Sequence, residues 1–295
     1  MNRKIRIGSR DSVLAVRQAQ IVMETVSRKY PEIEFELVMI KTTGDKLLDR
    51  KLDEIGGKGL FIKELEQSLA DGSIDIAVHS YKDMPYEDTP GLPVVALSER
   101  ESPYDALILP EGMSEQDMSK PVGSSSLRRT IQFGKLHKGC EFKPIRGNVP
   151  TRLSKLDNGE YSALILAQAG LNRLSLQNRI SRIFTADEMI PSASQGILAV
   201  QGRQGEDYSF LEGFHDVKSE IVSKGERGYL KALGSNCASP VAVYGRLKNN
   251  ELLLSGMYVD ACGNDFTGKV SGEADKAEFL GERLANHLKS RSEER

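Results

Sequence analysis

The sequence predicts an α/β protein whose C-terminal part is a separate α+β domain. Three observations lead to this fold class. At 295 residues the chain is too long for one typical core, so more than one domain is expected. In the first two-thirds, short apolar strands alternate with helices, which is typical of mainly parallel sheets with helices on both faces. From Lys218 onward one helix precedes three strands and a final helix, which predicts a small antiparallel sheet.

The N-terminal third of the chain carries clear signals for its elements. Ser12 is predicted to cap a helix that runs to about Lys29, since Pro31 cannot continue it. Gly72 ends a second helix, predicted over 60–71. The IDIAVH run at 74–79 is almost continuously apolar, which is the pattern of a central parallel strand. The other predicted strands of this part are 4–7, 35–41 and 94–97.

The same alternation resumes in the middle of the chain and then changes. Between residues 100 and 170 we predict strands at 106–109, at Val122, at 142–145 and at 162–167, and helices that begin near Leu127 and Thr151. The C-terminal domain is predicted to contain a helix from 218, strands at 241–247, 251–259 and 266–270, and a helix over 276–290. Residues 247–251 form a hairpin turn by composition.

Composition excludes several classes of protein. A formal net charge of −2, 6% aromatic residues and the absence of Trp argue against a dedicated nucleic-acid binder. Three widely spaced cysteines fit a reducing cytoplasm and exclude both a disulfide framework and a Cys-x-x-Cys zinc site. The four histidines do not stand at metal-ligand spacing, so no metal site is expected. The first six residues return to charge too soon for a signal peptide, and the longest apolar stretch, around 163–171, is too short for a membrane span.

Polar segments follow three predicted strands where each gives way to a helix. They are Gly8–Ser12, Ser124–Arg129, and Arg146–Asn148 together with Thr151–Arg152. Backbone N–H groups and the helix dipole favour anions at such junctions, and arginine adds planar donor forks that match carboxylates. Because the whole protein is slightly acidic, this local positive charge indicates a small ligand with several negative groups. A two-lobed binding protein for a small anion stays open as an alternative, whereas RNA binding is disfavoured by the sequence pI of about 6.2.

Two residues are the best candidates for reactive groups. Asp83 follows the strand at 74–79, and ligands bind outside the carboxyl ends of such strands. There it could act as a general acid or base or stabilise a developing cation, although a turn aspartate before Pro85 is the simpler alternative. Cys237 lies in a Gly/Ser/Asn/Pro turn, which makes it the candidate nucleophile or attachment point rather than a small buried side chain. His79, at the end of a buried strand, is predicted to be a hydrogen-bonded core residue.

Seven segments, in order along nearly the whole chain, carry a family pattern. They are GSRDSVLAVRQAQ (8–20), GGKGLFIKELE (56–66), DIAVHSYKDMP (75–85), GSSSLRR (123–129), RGNVPTRLSKLDNGEY (146–161), QGILAV (195–200) and ERGYLKALGSNCASP (226–240). Each is a weak motif, but seven in register are highly specific. Together they resemble the porphobilinogen deaminase family. The sequence departs from that family at Ser235-Asn236, where two glycines are usual, and at Gln201-Gly202, where Glu-Cys is usual.

The resemblance implies a monomer of three domains. Residues 1–98 with 194–214 would form the first domain and 99–193 the second, and both would resemble the lobes of periplasmic binding proteins with a cleft between them. Residues 218–295 would form the third domain, which carries the cofactor cysteine. The charged, glycine-rich loop that ends with Lys58 and Phe61 would cover the cleft.

The resemblance also implies the chemistry and the roles of individual residues. A dipyrromethane cofactor would be attached to Cys237 through a thioether. Porphobilinogen would lose ammonia to give an electrophilic methylene-pyrrolenine, which the free end of the growing chain attacks; after four rounds, water would release hydroxymethylbilane. Asp83 would lie against the pyrrole nitrogens. Every pyrrole carries an acetate and a propionate, and these would be held by Arg10, Ser12, Lys82, Ser126, Arg128, Arg129, Arg146, Arg152 and Arg173.

Overall fold

The computed structural model describes residues 3–42, 62–235 and 240–294. Its helices of six or more residues are α1 Val13–Lys29, α2 Lys63–Ala70, α3 Leu127–Leu136, α4 Val149–Asp157, α5 Gln168–Arg173, α6 Val217–Leu233 and α7 Ala277–Glu293. Its strands are β1 Arg3–Arg10, β2 Ile33–Ile40, β3 Ile76–Ser80, β4 Val94–Leu97, β5 Asp105–Ile108, β6 Val122–Gly123, β7 Phe142–Lys143, β8 Ala163–Ala167, β9 Arg182–Ile183, β10 Leu198–Gly202, β11 Ala242–Lys248, β12 Glu251–Val259 and β13 Asp265–Glu273. None of the helices in the described ranges has the length and apolar character needed to cross a membrane.

The chain forms two compact units. Unit 1 comprises Met1–Arg100 and Ile197–Glu220, and unit 2 comprises Glu101–Gly196 and Ile221–Arg295. Neither unit is therefore a continuous stretch of chain, because the segment that contains β10 belongs to the same unit as the N-terminal part of the chain. The predicted boundaries of three domains stay a prediction.

Unit 1 is built on a sheet with the order β2-β1-β3-β10-β4. Strand β1 pairs in parallel with β2 and β3, whereas β10 is antiparallel to both β3 and β4. Helix α1 covers this sheet with a stripe of apolar residues spaced three or four apart, of which Ala19, Val22 and Val26 are buried against Ile5 and Ile7. The apolar run predicted as a central strand is indeed central, as β3.

Unit 2 contains two separate sheets. The first has the order β7-β6-β8-β5-β9, in which β6 is parallel to β7 and β8, and β5 is antiparallel to β8 and β9. The second is the antiparallel sheet β11-β12-β13. The predicted fold class, two α/β lobes followed by a small antiparallel α+β part, is confirmed. The two large sheets are mixed, because β10 and β5 each add antiparallel pairings to a parallel core.

Local sequence signals explain most element ends. The Ser12 side chain caps α1 by accepting a hydrogen bond from the Ala15 N–H at 3.3 Å, as predicted. The helix expected from Thr151 begins two residues earlier, since Asn148 caps it and Pro150 is tolerated in the first turn. Between β11 and β12 the two-residue turn is formed by Asn249 and Asn250, both with positive φ (48° and 64°), which is the geometry of a tight hairpin.

Helices α6 and α7 approach each other so closely that only glycine fits at the crossing. A Cβ on Gly281 would lie 2.6 Å from the backbone nitrogen of Tyr229 and closer still to the carbonyl oxygen of Gly225. A Cβ on Gly228 would in turn meet the carbonyl oxygen of Glu278 at 2.6 Å. The fully buried Tyr229 ring lies beside this crossing, near Gly256 of β12. These glycines therefore fix the position of α6, the helix that leads towards Cys237.

The departure at Gln201-Gly202 is accommodated within unit 1. The buried Gln201 side chain donates from Nε2 to Glu66 Oε1 and to the Leu92 carbonyl, both at 2.9 Å. Gly202 leaves room for the ring of Tyr208, since a Cβ at residue 202 would lie 2.9 Å from Tyr208 Cε1.

Candidate functional site

In unit 1 the candidate residues follow two neighbouring parallel strands. Arg10 and Ser12 stand at the carboxyl end of β1, and Lys82 and Asp83 lie in the 3₁₀ turn Tyr81–Asp83 at the carboxyl end of β3. Because β1 and β3 are parallel neighbours, these ends meet at one edge of the sheet.

In unit 2 three parallel strands end at a common edge. Strands β6, β7 and β8 are followed directly by α3, α4 and α5, so the first turns of these helices and the strand ends lie along the same side. The topology thus gathers five of the predicted residues at one sheet edge: Ser126, Arg128, Arg129, Arg146 and Arg152. Arg173 is the last residue of α5, at the C-terminal end of that helix.

The three helix starts identified in the sequence differ in how they are capped. Helix α1 is capped by Ser12 and α4 by Asn148, whose Oδ1 accepts from the Thr151 N–H at 2.9 Å. Ser126 occupies the N-cap position of α3, but its side chain makes no capping hydrogen bond. The Arg129 N–H donates to the Ser126 carbonyl at 3.0 Å, whereas the side chain of Ser126 does not cap the N–H groups of Leu127 and Arg128. These two N–H groups and the positive end of the helix dipole suit an anionic ligand.

Arg128 and Arg129, in that first turn, share one buried carboxylate. Asp105 is 0% exposed and accepts from Arg128 Nη1 at 2.6 Å and from Arg129 Nε and Nη2 at 3.0 and 2.8 Å. Burial raises the pKa of Asp105, but the two guanidinium groups outweigh burial and hold that pKa well below its usual range. Both guanidinium groups thus pair with the same carboxylate. Sequence reasoning missed Asp105, because its only signal is an aspartate at the head of an apolar strand.

Arg173, a further arginine of unit 2, is held by a backbone carbonyl. Its Nη2 donates to the Gly196 carbonyl at 2.6 Å, and it has no ion pair with any residue in the described ranges. Burial lowers the pKa of Arg173 to about 10, which still leaves it charged at neutral pH. The charge of Glu101 acts on this pKa in the opposite direction, but no described carboxylate lies within ion-pair distance, and such a desolvated guanidinium is suited to an anionic ligand.

The segment 194–196 supports several of these groups. Gln195 donates from Nε2 to Asp105 Oδ1 at 3.1 Å and to the Pro103 carbonyl at 2.7 Å, while Gly196 provides the acceptor for Arg173. Ser194 has a positive φ of 57°, and its N–H is bound at 2.6 Å by the buried carboxylate of Glu226. The backbone strain at Ser194 and the hydrogen bond that holds it indicate that the position of this segment, which contacts Asp105 and Arg173, is important for the site.

Arg146 and Arg152 flank the start of α4 and are both half-buried. Arg152 Nε donates to the Gly147 carbonyl at 2.7 Å, and the positive φ of 113° at Gly147 permits this turn. Arg146 therefore belongs to the loop that joins β7 to α4, and Arg152 to the first turns of α4, with its Nε turned back to that loop.

Asp83 and His79 lie in different surroundings although they are four residues apart. Asp83 is exposed and makes no hydrogen bond or ion pair with another described residue. His79 is a buried residue of β3, as predicted, but its Nε2 has no hydrogen-bond partner among the described residues. Burial lowers the pKa of His79 to about 4, so it is neutral at pH 7 and is a core residue.

Three predicted site residues lie outside the described residues: Lys58, Phe61 and Cys237. Of the other cysteines, Cys140 is half-buried and Cys262 is exposed. Within the described ranges no three His, Cys, Asp or Glu side chains come together as a metal site would require.

Basic side chains lie at the carboxyl ends of parallel strands in two α/β units, an arrangement typical of proteins that take a small anionic molecule. Two family models cover most of the chain: "Porphobilinogen deaminase, dipyromethane cofactor binding domain" matches residues 5–210, and "Porphobilinogen deaminase, C-terminal domain" matches residues 221–290. The chain belongs to the porphobilinogen deaminase family.

Individual proteins agree with the family models. A porphobilinogen deaminase of Acetivibrio thermocellus is 54% identical over 285 residues, which cover 97% of this chain and 98% of that protein. One from Alkaliphilus oremlandii is 51% identical over 290 residues, 98% of each chain. Among solved structures, the methionine binding protein MetQ aligns with a TM-score of 0.45 and 12% identity, over 74% of this chain and 90% of that chain.

Membership of this family fixes the activity. The protein is a transferase that condenses porphobilinogen stepwise into hydroxymethylbilane, in tetrapyrrole synthesis, and it uses a dipyrromethane cofactor.

Proposed function

We propose that the arginines at the sheet edge of unit 2 bind the acetate and propionate groups of porphobilinogen and of the pyrrole chain built from it. The observation that carries this proposal is the start of α3, where a helix end without a side-chain cap bears Arg128 and Arg129, both paired with the carboxylate of Asp105. A charge-assisted hydrogen bond to a carboxylate stabilises binding by about 1.5–3 kcal/mol. Several such bonds hold a polycarboxylate without a metal.

The same residues fit the dipyrromethane cofactor. Its carboxylates match the donors around α3 in both charge and hydrogen-bonding type, whereas the desolvated guanidinium of Arg173 suits the carboxylates of the lengthening pyrrole chain. When bound, the cofactor supplies the terminal pyrrole carbon to which the first porphobilinogen unit is joined. Its carboxylates, and those of the substrate, would be held by Arg10, Ser12, Lys82, Ser126, Arg128, Arg129, Arg146, Arg152 and Arg173.

Asp83 is proposed as the catalytic carboxylate. Its exposed side chain stands at a strand end beside Lys82, where it can accept a hydrogen bond from a pyrrole N–H of the substrate. Loss of ammonia from porphobilinogen leaves positive charge on the ring, and a carboxylate next to the ring nitrogen stabilises that charge. The same oxygen atoms can take up and return the proton that each condensation releases.

Cys237 is proposed as the point of attachment of the dipyrromethane, through a thioether. The proposal is supported by its place in the family motif ERGYLKALGSNCASP and by the turn-forming Pro240 three residues later. Lys58 and Phe61 are proposed to lie in a loop that covers the bound pyrroles. We further propose that the enzyme is a cytoplasmic monomer that takes only small molecules and neither nucleic acid nor membrane as partner, in line with its cysteine spacing and net charge of −2.

The experiment compares Arg128→Leu, Arg129→Leu and Arg173→Leu by intact mass spectrometry. Chains are weighed as purified and again after brief exposure to porphobilinogen. Arg128→Leu and Arg129→Leu should reduce the fraction of chains that carry dipyrromethane. Each substitution would leave a buried carboxylate of the cofactor or substrate without its cationic partner, which is costly. Arg173→Leu should load normally and accumulate partly extended chains, since it should act later in elongation.

The matched control is Arg179→Leu, which removes an arginine of the same unit that pairs with Asp157 at 2.7 and 3.1 Å. It should resemble the wild type in both measurements. Mass distributions that are the same in the wild type and all three site variants would contradict the proposed role of these arginines.

A further inference from the structure

The carboxylate of Asp105 is placed between two cationic residues that the proposed function assigns to ligand binding. It is fully buried and accepts four hydrogen bonds, one on Oδ2 from Arg128 and three on Oδ1 from Arg129 and Gln195. Two adjacent guanidinium groups repel each other, most strongly where water is excluded. A shared carboxylate offsets that repulsion and fixes the orientation of both planar groups.

The hydrogen bonds of Arg128 show what this orientation achieves. Nη1 is occupied by Asp105 at 2.6 Å and by the Ile190 carbonyl at 2.9 Å. Nε and Nη2 have no acceptor among the described residues, although the residue is only 5% exposed. One edge of the guanidinium is therefore anchored in protein, and the other edge keeps three N–H donors for a carboxylate oxygen.

The support extends beyond Asp105 itself. Gln132 donates from Nε2 to the same Ile190 carbonyl at 3.0 Å and accepts from the Ile190 N–H at 2.7 Å, so the second acceptor of Arg128 is also fixed. Gln195 holds Asp105 from the other side and is itself anchored to the Pro103 carbonyl. Every group that touches Nη1 of Arg128 is thus held by a further hydrogen bond, which is how a binding group is preorganised.

We propose that Asp105 is a positioning residue of the active site, which holds Arg128 and Arg129 in the orientation that receives a pyrrole carboxylate. This inference rests on the proposed function, because it requires that those arginines bind such a group. Asp105 itself does not touch the substrate. Its role is to keep two like charges together in a fixed geometry at the start of α3.

The test measures kcat and KM for porphobilinogen, and the fraction of chains that carry dipyrromethane, in Asp105→Asn and Asp105→Glu. Asp105→Asn removes the charge that holds the pair, and misplacement of a binding group by about 1 Å can cost about 100-fold in rate. We expect kcat/KM to fall by about that factor, together with reduced loading. Asp105→Glu keeps the charge on a longer side chain and should recover part of the loss.

The matched control is Asp157→Asn, which breaks the exposed pair with Arg179 in the same unit and should leave kcat and KM unchanged. A double-mutant cycle separates positioning from stability. Asp105→Asn should add little to the effect of Arg128→Leu on kcat/KM, whereas it should multiply with the effect of Arg146→Leu. All rates are measured well below the thermal midpoint of each variant, so that only folded enzyme is compared.

The outcomes distinguish the two proposals. If Arg128→Leu impairs loading or turnover but folded Asp105→Asn retains kcat/KM within twofold of the wild type, the role of Asp105 is refuted and the proposed function stands. If Arg128→Leu is itself without effect, the proposed function fails and this inference fails with it. Should Asp105→Asn not fold, Asp105→Glu decides, since wild-type kcat/KM in that variant would refute a requirement for fixed geometry.

Discussion

Substitution of Gly281 by alanine tests the packing that positions α6. The new Cβ would lie 2.6 Å from the Tyr229 backbone nitrogen and even closer to the Gly225 carbonyl oxygen, so both of these neighbours are backbone atoms that cannot rotate away. Overpacking of this kind costs about 1–3 kcal/mol, and rigid neighbours put it at the upper end of that range. Alanine favours a helix over glycine by about 1 kcal/mol, which offsets part of the cost. The free energy of unfolding should fall by about 2 kcal/mol.

The assay is thermal unfolding of the holoenzyme, in which we expect a midpoint about 3 °C below that of the wild type. Gly134→Ala is the matched control. Gly134 also lies within a helix, α3, but a Cβ there would meet only Phe142 at 3.5 Å, which is ordinary van der Waals contact. That variant should be as stable as the wild type or slightly more stable. Equal midpoints for the two variants would refute the reasoning from helix contact.

Two further predictions concern charge. Asp83→Asn should lower kcat by about 100-fold or more, measured by porphobilinogen consumption, while the protein still folds and carries its cofactor. Asp83→Glu should keep partial activity, because the charge is retained. Near-normal turnover of the Asn variant would remove Asp83 from the mechanism. Burial lowers the pKa of His79 from 6.5 to about 4, so the unfolded chain takes up a proton on this side chain below pH 6.5 while the folded chain does not. Between pH 7 and pH 5 the free energy of unfolding of the wild type should therefore fall by about 2 kcal/mol more than that of His79→Gln. Chemical denaturation of both proteins at pH 7 and at pH 5 measures the difference. Equal losses of stability in the two proteins would show that His79 is not the group responsible.

Local features of the fold were predictable because their causes are local. The cap at Ser12 and the turn at 247–251 depend on a few neighbouring residues, and the structure confirms both. Helix α4 starts two residues before the predicted Thr151, because Asn148 caps a helix whose first turn tolerates Pro150. The residue pattern alone does not give pairings over long distances, and the resemblance places 194–214 with the first domain without giving its position in the sheet. Strand β10 joins the sheet of unit 1 beside β3, more than a hundred residues earlier in the chain.

In the candidate site, too, local features could be predicted from the sequence and long-range contacts could not. The position of each arginine at a strand-to-helix junction could be predicted, because junctions follow from the alternation of strands and helices. The groups that pair with these arginines could not be predicted. Asp105 lies 23 residues before Arg128, in a strand that reads as purely structural, and Gly196, the acceptor for Arg173, lies 23 residues after it. The sequence predicted the cations but not the groups that hold them.

The most direct test of the account is the mass of the enzyme and of its Cys237 peptide. A thioether to carbon withstands denaturation, so the wild-type chain should be heavier than its sequence by two linked pyrroles, and a peptide map should place that mass on Cys237. Cys237→Ser should abolish both the added mass and turnover, because a serine hydroxyl is far less nucleophilic than a thiol near neutral pH. Cys140→Ser and Cys262→Ser should retain both. A fully active enzyme with an unmodified Cys237 would contradict the account.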